Sequence, residues 1–247
     1  MKLVRFQTQQ GTFSGVLEGD VIKPWGLNPA TRNCALSDVR LLAPCLPSKV
    51  VAVGLNYRDH AEELKMKLPE EPLLFLKPSS SVIGPGDTIL MPPQSTRVDY
   101  EAELAIVVDK EAKNVPEKDA KQVILGFTCL NDVTARDLQN KDGQWTRAKG
   151  FDTFCPIGPW IKTDVDPSDL KIDLLLNGQA KQSSRTSNLI FNSYKLIEYI
   201  TSVMTLYPGD VIATGTTSGI GPMADGDTVQ VVIEGIGCLS NRVESWK

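Results

Sequence analysis

Asp99-Tyr100-Glu101-Ala102-Glu103-Leu104-Ala105-Ile106-Val107-Val108 is the stretch on which the reading of this chain turns. Residues 100–108 have the apolar, β-branched composition of a strand. Side chains alternate faces along a strand, so Glu101 and Glu103 point the same way from Cα atoms roughly 6.6 Å apart. Two carboxylate arms at that separation can converge on one ion, whereas adjacent residues face opposite sides. Ala102, Leu104, Ile106 and Val108 make up the other face and read as core. Ala105 and Val107 continue the glutamates' own face as apolar surface. Carboxylates beside such a surface need a cation or a hydrogen-bonding partner. The alternative is a solvated strand face.

Working outward, the first forty-five residues read as a meander of short strands over 3–6, 13–17 and 20–22, divided by glycine-bearing turns. A looser stretch with Pro29, Pro44 and Pro47 precedes an apolar strand over 50–53. The change puts a boundary near residue 46, with a small N-terminal β subdomain over 1–46 and the main domain over 47–247. Residues 59–67 have helix-forming composition and run into Leu68-Pro69-Glu70-Glu71-Pro72, which stops them. Residues 116–124 and 194–203 read as helices, the second on a stripe of Leu196, Ile197, Ile200 and Val203. Strands are expected over 73–76, 87–90, 170–176, 210–213 and 228–233, with a hairpin turn at Asn177-Gly178. Strands predominate and no βαβ alternation supports a doubly wound sheet. The fold class is therefore mainly β (α+β), with a few short helices.

A chain of 247 residues can bury a core unaided. Its 41% hydrophobic and 23% charged residues exclude wholesale disorder. A net charge of −4 without a basic cluster argues against nucleic acid as a partner. No apolar run reaches the roughly 18 residues that cross a bilayer. Met1-Lys2-Leu3-Val4-Arg5-Phe6 lacks the apolar stretch of a secretory signal, which leaves the cytosol, or an organelle interior if a transit peptide has been trimmed, and the expected location is cytoplasmic. Cys34, Cys45, Cys129, Cys155 and Cys238 are widely spaced with no C-x-x-C pair, which fits neither a disulfide framework nor a zinc ribbon. His60 is the only histidine. Any reaction needing an imidazole has one candidate, and a metal site with two histidine ligands is excluded.

Asp132 can supply a third carboxylate to the glutamate pair, or cap the short helix that follows it. Three carboxylates with no cysteine or second histidine favour a hard cation bound through oxygen, Mg²⁺ before Mn²⁺ or Ca²⁺. His60 and Glu63 fall at i and i+3, where a carboxylate can hold one imidazole nitrogen and leave the other a better base. An incidental surface pair is the alternative. The helix that carries them is short enough to act as a lid. Lys149 and Arg136 can offset the negative charge or hold a substrate carboxylate, the alternative for each being a plain surface charge. The glycine- and hydroxyl-rich run over 214–222 lacks the Gly-Lys-Ser/Thr ending of a P-loop. It reads as a plain turn or as a loop whose N–H groups receive a substrate oxyanion.

From about residue 48 onward the chain resembles the fumarylacetoacetate hydrolase family. The resemblance rests on Gly54-Leu55-Asn56-Tyr57-Arg58-Asp59-His60, Leu74-Phe75-Leu76-Lys77-Pro78, Asp99-Tyr100-Glu101-Ala102-Glu103-Leu104, Asn131-Asp132-Val133-Thr134-Ala135-Arg136-Asp137, Lys149-Gly150-Phe151-Asp152 and Gly209-Asp210-Val211-Ile212-Ala213-Thr214-Gly215-Thr216. It implies a β-roll of layered mixed sheets, usually a homodimer. It also implies Mg²⁺ held by Glu101, Glu103 and Asp132, Lys149 beside the metal, and His60 with Glu63 as a water-activating dyad. Arg136, Gln139 and Thr216 are implied as the lining of the substrate pocket.

The expected substrate is a 2-oxo or 2,4-dioxo acid, worked on through an enolate that the ion stabilises as a Lewis acid. Hydrolysis of the C–C bond of an acylpyruvate of fumarylpyruvate type is the first expectation. Oxaloacetate keto–enol exchange and oxaloacetate decarboxylation reach the same enolate and are the alternatives. Phrases such as Asp152-Thr153-Phe154-Cys155-Pro156-Ile157-Gly158-Pro159 are similar to family members regarded as oxaloacetate tautomerases. A metalloprotein that binds a keto acid without turnover is a lesser alternative, disfavoured because binding alone needs no positioned base.

Overall fold

The computed structural model describes residues 1–25 and 32–246; Pro29, placed in a loose stretch above, lies outside them. The chain is mainly β. Ala102–Val108 pairs antiparallel with Ile124–Asn131 on one side and Val211–Thr216 on the other, at the middle of a twelve-stranded mixed sheet. Val50–Gly54 lies parallel to Val211–Thr216, and Leu73–Lys77 closes that end of the sheet as its edge strand. At the other end the N-terminal meander joins through Lys2–Thr8, which pairs with Cys155–Lys162. A five-stranded sheet includes the hairpin Lys171–Leu176 and Gln179–Arg185, whose turn residue Asn177 has φ 52°. A three-stranded sheet joins Thr134–Ala135, Val98–Tyr100 and Gly221–Pro222.

The alternation read from the sequence survives, but both faces of the central strand are buried. Ala102, Leu104, Ile106 and Val108 enter one core with Ile172, Leu174, Val229, Val231 and Leu239 of the five-stranded sheet. Ala105 and Val107 enter a second core with Val50, Ala52, Leu130, Val211 and Ala213. A strand packed on both sides is rigid, which suits it to carry a site at its end.

Four α-helices are described: α1 (Arg58–Glu63), α2 (Arg136–Asp142), α3 (Thr146–Lys149) and α4 (Ser193–Val203). The first is shorter than the expected 59–67, because Lys65 turns into the left-handed region at φ 55° and ends it before the prolines. The stretch expected as a helix over 116–124 is the 3₁₀ turn Glu117–Val123. Asn192 caps α4, accepting the N–H groups of Tyr194 and Lys195 at 2.9 Å. Among the described residues, Cys34, Cys45, Cys129, Cys155 and Cys238 are free thiols, and no helix is long and apolar enough to cross a membrane.

Candidate active site

The carboxylate cluster forms where the strand is interrupted. Glu101 stands between Val98–Tyr100 and Ala102–Val108 and belongs to neither. Its N–H donates to Asn131 Oδ1 at 2.9 Å, and its carbonyl accepts the N–H of Asp132 at 2.9 Å. The continuous strand expected over 100–108 is thus corrected. A side chain and the next loop take the backbone groups of Glu101 out of the ladder, and the same bond holds Asp132 beside it. Glu103 reaches the spot from inside its strand, and its Oε2 accepts the Gly215 N–H at 2.7 Å. One oxygen from each of Glu101, Glu103 and Asp132 lies within 4.8 Å of the other two, and all three residues are buried.

Cations surround this acidic knot. Lys149 Nζ, at the end of α3, donates to Glu101 Oε2 at 2.8 Å and to Asp132 Oδ2 at 2.6 Å. Arg136, the first residue of α2, bonds Glu101 Oε1 through Nη2, Asp99 Oδ2 through Nε at 2.9 Å, and Gln139 Oε1 through Nη1 at 2.5 Å. Burial raises the Glu101 carboxyl, but the charges of Lys149 and Arg136 outweigh it and bring it down to about 2. Burial would also depress Lys149, and Asp132 with Glu101 more than offset it, so this lysine stays charged.

Lys77 belongs to this cluster although sequence reasoning gave it no role. Fully buried at the end of Leu73–Lys77, it donates from Nζ to Asp132 Oδ1 at 2.5 Å and to the Val133 carbonyl at 3.2 Å. The available signal was a lysine closing an otherwise apolar strand, a position that has to be paired if it faces the core. Asp99, buried under Arg97 and Arg136, was likewise given no role.

The donor set fits a hard divalent cation. The three ligands on offer are all carboxylate oxygens, two of them supplied by strands or strand ends that cannot splay apart. Of the three acids, Glu103 is the one with no lysine or arginine hydrogen-bonded to it among the described residues. Burial first, then the charges of Asp132 and Glu101, push its carboxyl well above the usual range, and Lys149 and the Gly215 N–H only partly counter them. A cation among the three would remove that strain on its charge.

His60 and Glu63 come together as the spacing on a helix requires. Nδ1 of the imidazole lies 3.0 Å from Glu63 Oε2, and His60 is buried. Helix α1 is tied down by Arg58 Nη1 donating to the Leu189 carbonyl at 2.9 Å and by Ser184 Oγ donating to Asp59. His60, Glu63, the three carboxylates and Lys149 all line one cavity of about 740 Å³.

Gln139, Arg136 and Thr216 line the same cavity. Arg136 is bonded to Glu101, Asp99 and Gln139, which ties its guanidinium to these side chains. Gln139 accepts from Arg136 and keeps its amide N–H groups to donate. Thr216 donates its hydroxyl to the Ala102 carbonyl at 3.0 Å and accepts from Gln182 Nε2 at 2.9 Å. The N–H groups of Gly215 and Gly219 go to Glu103 and Glu63, so at these two positions the loop serves the protein's own acids and not a substrate oxyanion. An apolar wall completes the cavity. Trp145 meets Phe75 edge-on with ring centroids 5.2 Å apart, and it fills the space where a Cβ on Gly54 would fall 2.7 Å from its ring.

The family model described as Fumarylacetoacetate (FAA) hydrolase C-terminal matches residues 49–244, and that described as Rv2993c-like, N-terminal matches residues 1–44. Oxaloacetate tautomerase Fahd2a, mitochondrial, of Rattus norvegicus is 43% identical over 219 residues, covering 84% of this chain and 70% of its own. The structure of 5-carboxymethyl-2-hydroxymuconate delta-isomerase from Mycobacterium smegmatis superposes with a TM-score of 0.93 at 50% identity, covering all of both chains. Maleylpyruvate hydrolase from Sphingobium sp. SYK-6, solved with manganese(II) and pyruvate, superposes at 0.85 with 32% identity, again over all of both chains.

Proposed function

Because this chain belongs to the fumarylacetoacetate hydrolase family of metal-dependent enzymes, we propose that it interconverts the keto and enol forms of a 2-oxo acid by moving one proton. The observation that carries this reading is the single imidazole, held by Glu63 and lining the same cavity as the carboxylate cluster. Lys77, Lys149 and Arg136 are all bound to carboxylates, whereas His60 is a buried imidazole already positioned by one, a group suited to take and return a proton.

A divalent ion held by Glu101, Glu103 and Asp132 would act as a Lewis acid toward the carboxylate and 2-oxo oxygens of the substrate. His60 Nε2 removes a proton from the carbon next to the 2-oxo group and returns it to oxygen, or runs the reverse. Glu63 keeps Nδ1 protonated and offsets the imidazolium that forms. Lys149 and Arg136 hold the acids in place throughout. The Trp145, Phe75 and Leu73 side chains give one side of the cavity an apolar wall. The relatives that are 43% and 50% identical carry the names of a tautomerase and an isomerase, and both names denote a proton shift.

Hydrolysis of an acylpyruvate, the first expectation from the sequence, is the second reading. The maleylpyruvate hydrolase relative favours it, and the same His60 would then take its proton from water. Magnesium as the resident ion and a homodimer as the working unit go with either reading; metal analysis of the purified protein and analytical ultracentrifugation check them. The deciding experiment follows oxaloacetate by its enol absorbance, alongside acylpyruvates, with Mg²⁺ and after chelation. Metal-dependent enol–keto exchange without pyruvate release supports the first reading, and pyruvate release from an acylpyruvate supports the second. No turnover of either class sinks both.

A further inference from the structure

Glu63 has two carboxylate oxygens, and the structure uses them differently. Oε2 faces His60 Nδ1 at 3.0 Å, while Oε1 accepts the backbone N–H of Gly219 at 3.0 Å. Gly219 lies outside α1, in the loop between Val211–Thr216 and Gly221–Pro222. Its φ of +91° suits glycine alone, and a Cβ there would stand 2.3 Å from the Lys181 carbonyl oxygen. Two independent constraints therefore keep this residue bare and bring its N–H to Glu63. The strand that leads into this loop carries Gly215, whose N–H holds Glu103 of the carboxylate cluster.

A carboxylate is free to turn about its last bond, and Glu63 is 38% exposed, so nothing in α1 itself fixes which way it faces. We propose that Gly219 is a positioning residue for the proton-transferring pair: its N–H pins one oxygen of Glu63, so the other is held on His60 Nδ1 and the imidazole is kept in the Nδ1–H tautomer. An ionised carboxylate only accepts hydrogen bonds, so the nitrogen facing it carries the proton and Nε2 stays bare to act as base. The inference deepens the proposed function, since it explains how the base is poised. It concerns the tautomer and can be tested without turnover.

The chain has one histidine, so the nitrogen-15 spectrum of the imidazole side chain reports His60 alone. In the unaltered protein one neutral tautomer, with Nδ1 protonated, is expected. Glu63→Gln is the discriminating variant, because it changes no backbone. If Gly219 holds the amide oxygen, the NH₂ group is turned to His60 Nδ1, which must then accept, and the spectrum switches to the Nε2–H tautomer. If Gly219 does not orient residue 63, the amide turns its oxygen to His60 and the Nδ1–H tautomer persists, which overturns the proposal. Adding Gly219→Ala to Glu63→Gln displaces the loop from the Lys181 carbonyl, frees the amide to turn either way, and should reduce the pure Nε2–H form to a mixture of tautomers in a chain whose melting shows it folded. If the double variant does not fold, the Glu63→Gln spectrum still decides. Loss of oxaloacetate turnover in every preparation, with the tautomer switch intact, would sink the functional reading and leave this one standing.

Discussion

Glu101 and Asp132 are joined twice, once through the backbone, where the Asp132 N–H donates to the Glu101 carbonyl at 2.9 Å, and once through Lys149, whose ammonium bridges their carboxylates at 2.8 and 2.6 Å. Residues 31 apart in sequence are thereby held as one binding element. Its rigidity comes from the antiparallel pairing of Ala102 with Asn131 next door.

Metal binding should follow from that element. Mg²⁺ with oxalate should raise the melting temperature of the unaltered protein, and excess chelator should reverse the shift. At a hundredfold excess over the dissociation constant the gain is about 2.7 kcal/mol. Asp132→Asn and Glu103→Gln should each abolish most of that shift while leaving a folded chain. A full shift in both variants would separate the carboxylates from the metal.

Removing the base should affect rate and leave metal binding in place. His60→Ala is expected to lower kcat by about 10²–10⁴-fold, the usual contribution of a positioned general base. The Mg²⁺–oxalate melting shift should persist, because His60 is not among the clustered carboxylates. Steady-state kinetics and a thermal titration on one preparation check both halves.

Lys77→Met should be costly. It strips Asp132 of one of two ammonium partners and leaves the Val133 carbonyl without that donor. Breaking a buried ion pair from one side costs about 3–5 kcal/mol, and Lys149 should keep the loss near the lower end. Urea unfolding measures it. Saturating Mg²⁺ should recover part of the loss, since the ion restores positive charge beside Asp132.

Acid stability should depend on Asp210, which lies away from the cavity. Its carboxylate accepts from Lys49 Nζ at 2.5 Å, Ser48 Oγ at 2.7 Å and the Tyr207 N–H at 2.9 Å. Burial raises this carboxyl, but those bonds outweigh it and hold it below the usual range. A folded value below the unfolded one, about 3.9, stabilises the protein fully above that unfolded value. The contribution is lost as pH falls through the folded value. Asp210→Asn should lower stability at neutral pH and flatten the acid limb of a urea-midpoint profile taken from pH 6 to 2.

Much of this protein was readable before any coordinates. Alternation over residues 100–108 is a local property of a strand, and it assigned Ala102, Leu104, Ile106 and Val108 to the core, whereas the burial of Ala105 and Val107 on the other face came from the packing of neighbouring strands. The i, i+3 spacing of His60 and Glu63 is equally local, because helix geometry alone brings such residues together. The choice of an oxygen-binding cation followed from side-chain chemistry. Other features depend on contacts between distant segments. The break at Glu101 exists because Asn131 and Asp132 take its backbone groups. Lys77 enters the cluster because its strand lies three places from Ala102–Val108 across the sheet. Gly219 reaches Glu63 from a segment 156 residues away. Periodicity and spacing report what a chain does with its near neighbours, while the closing of a charge network reports where sheet topology has put remote ones. Sequence by itself determined the strand-rich fold and the acids and base available. Only the tertiary structure decided which cations neutralise those acids and which oxygen of Glu63 is left for His60, because both depend on groups brought together by folding.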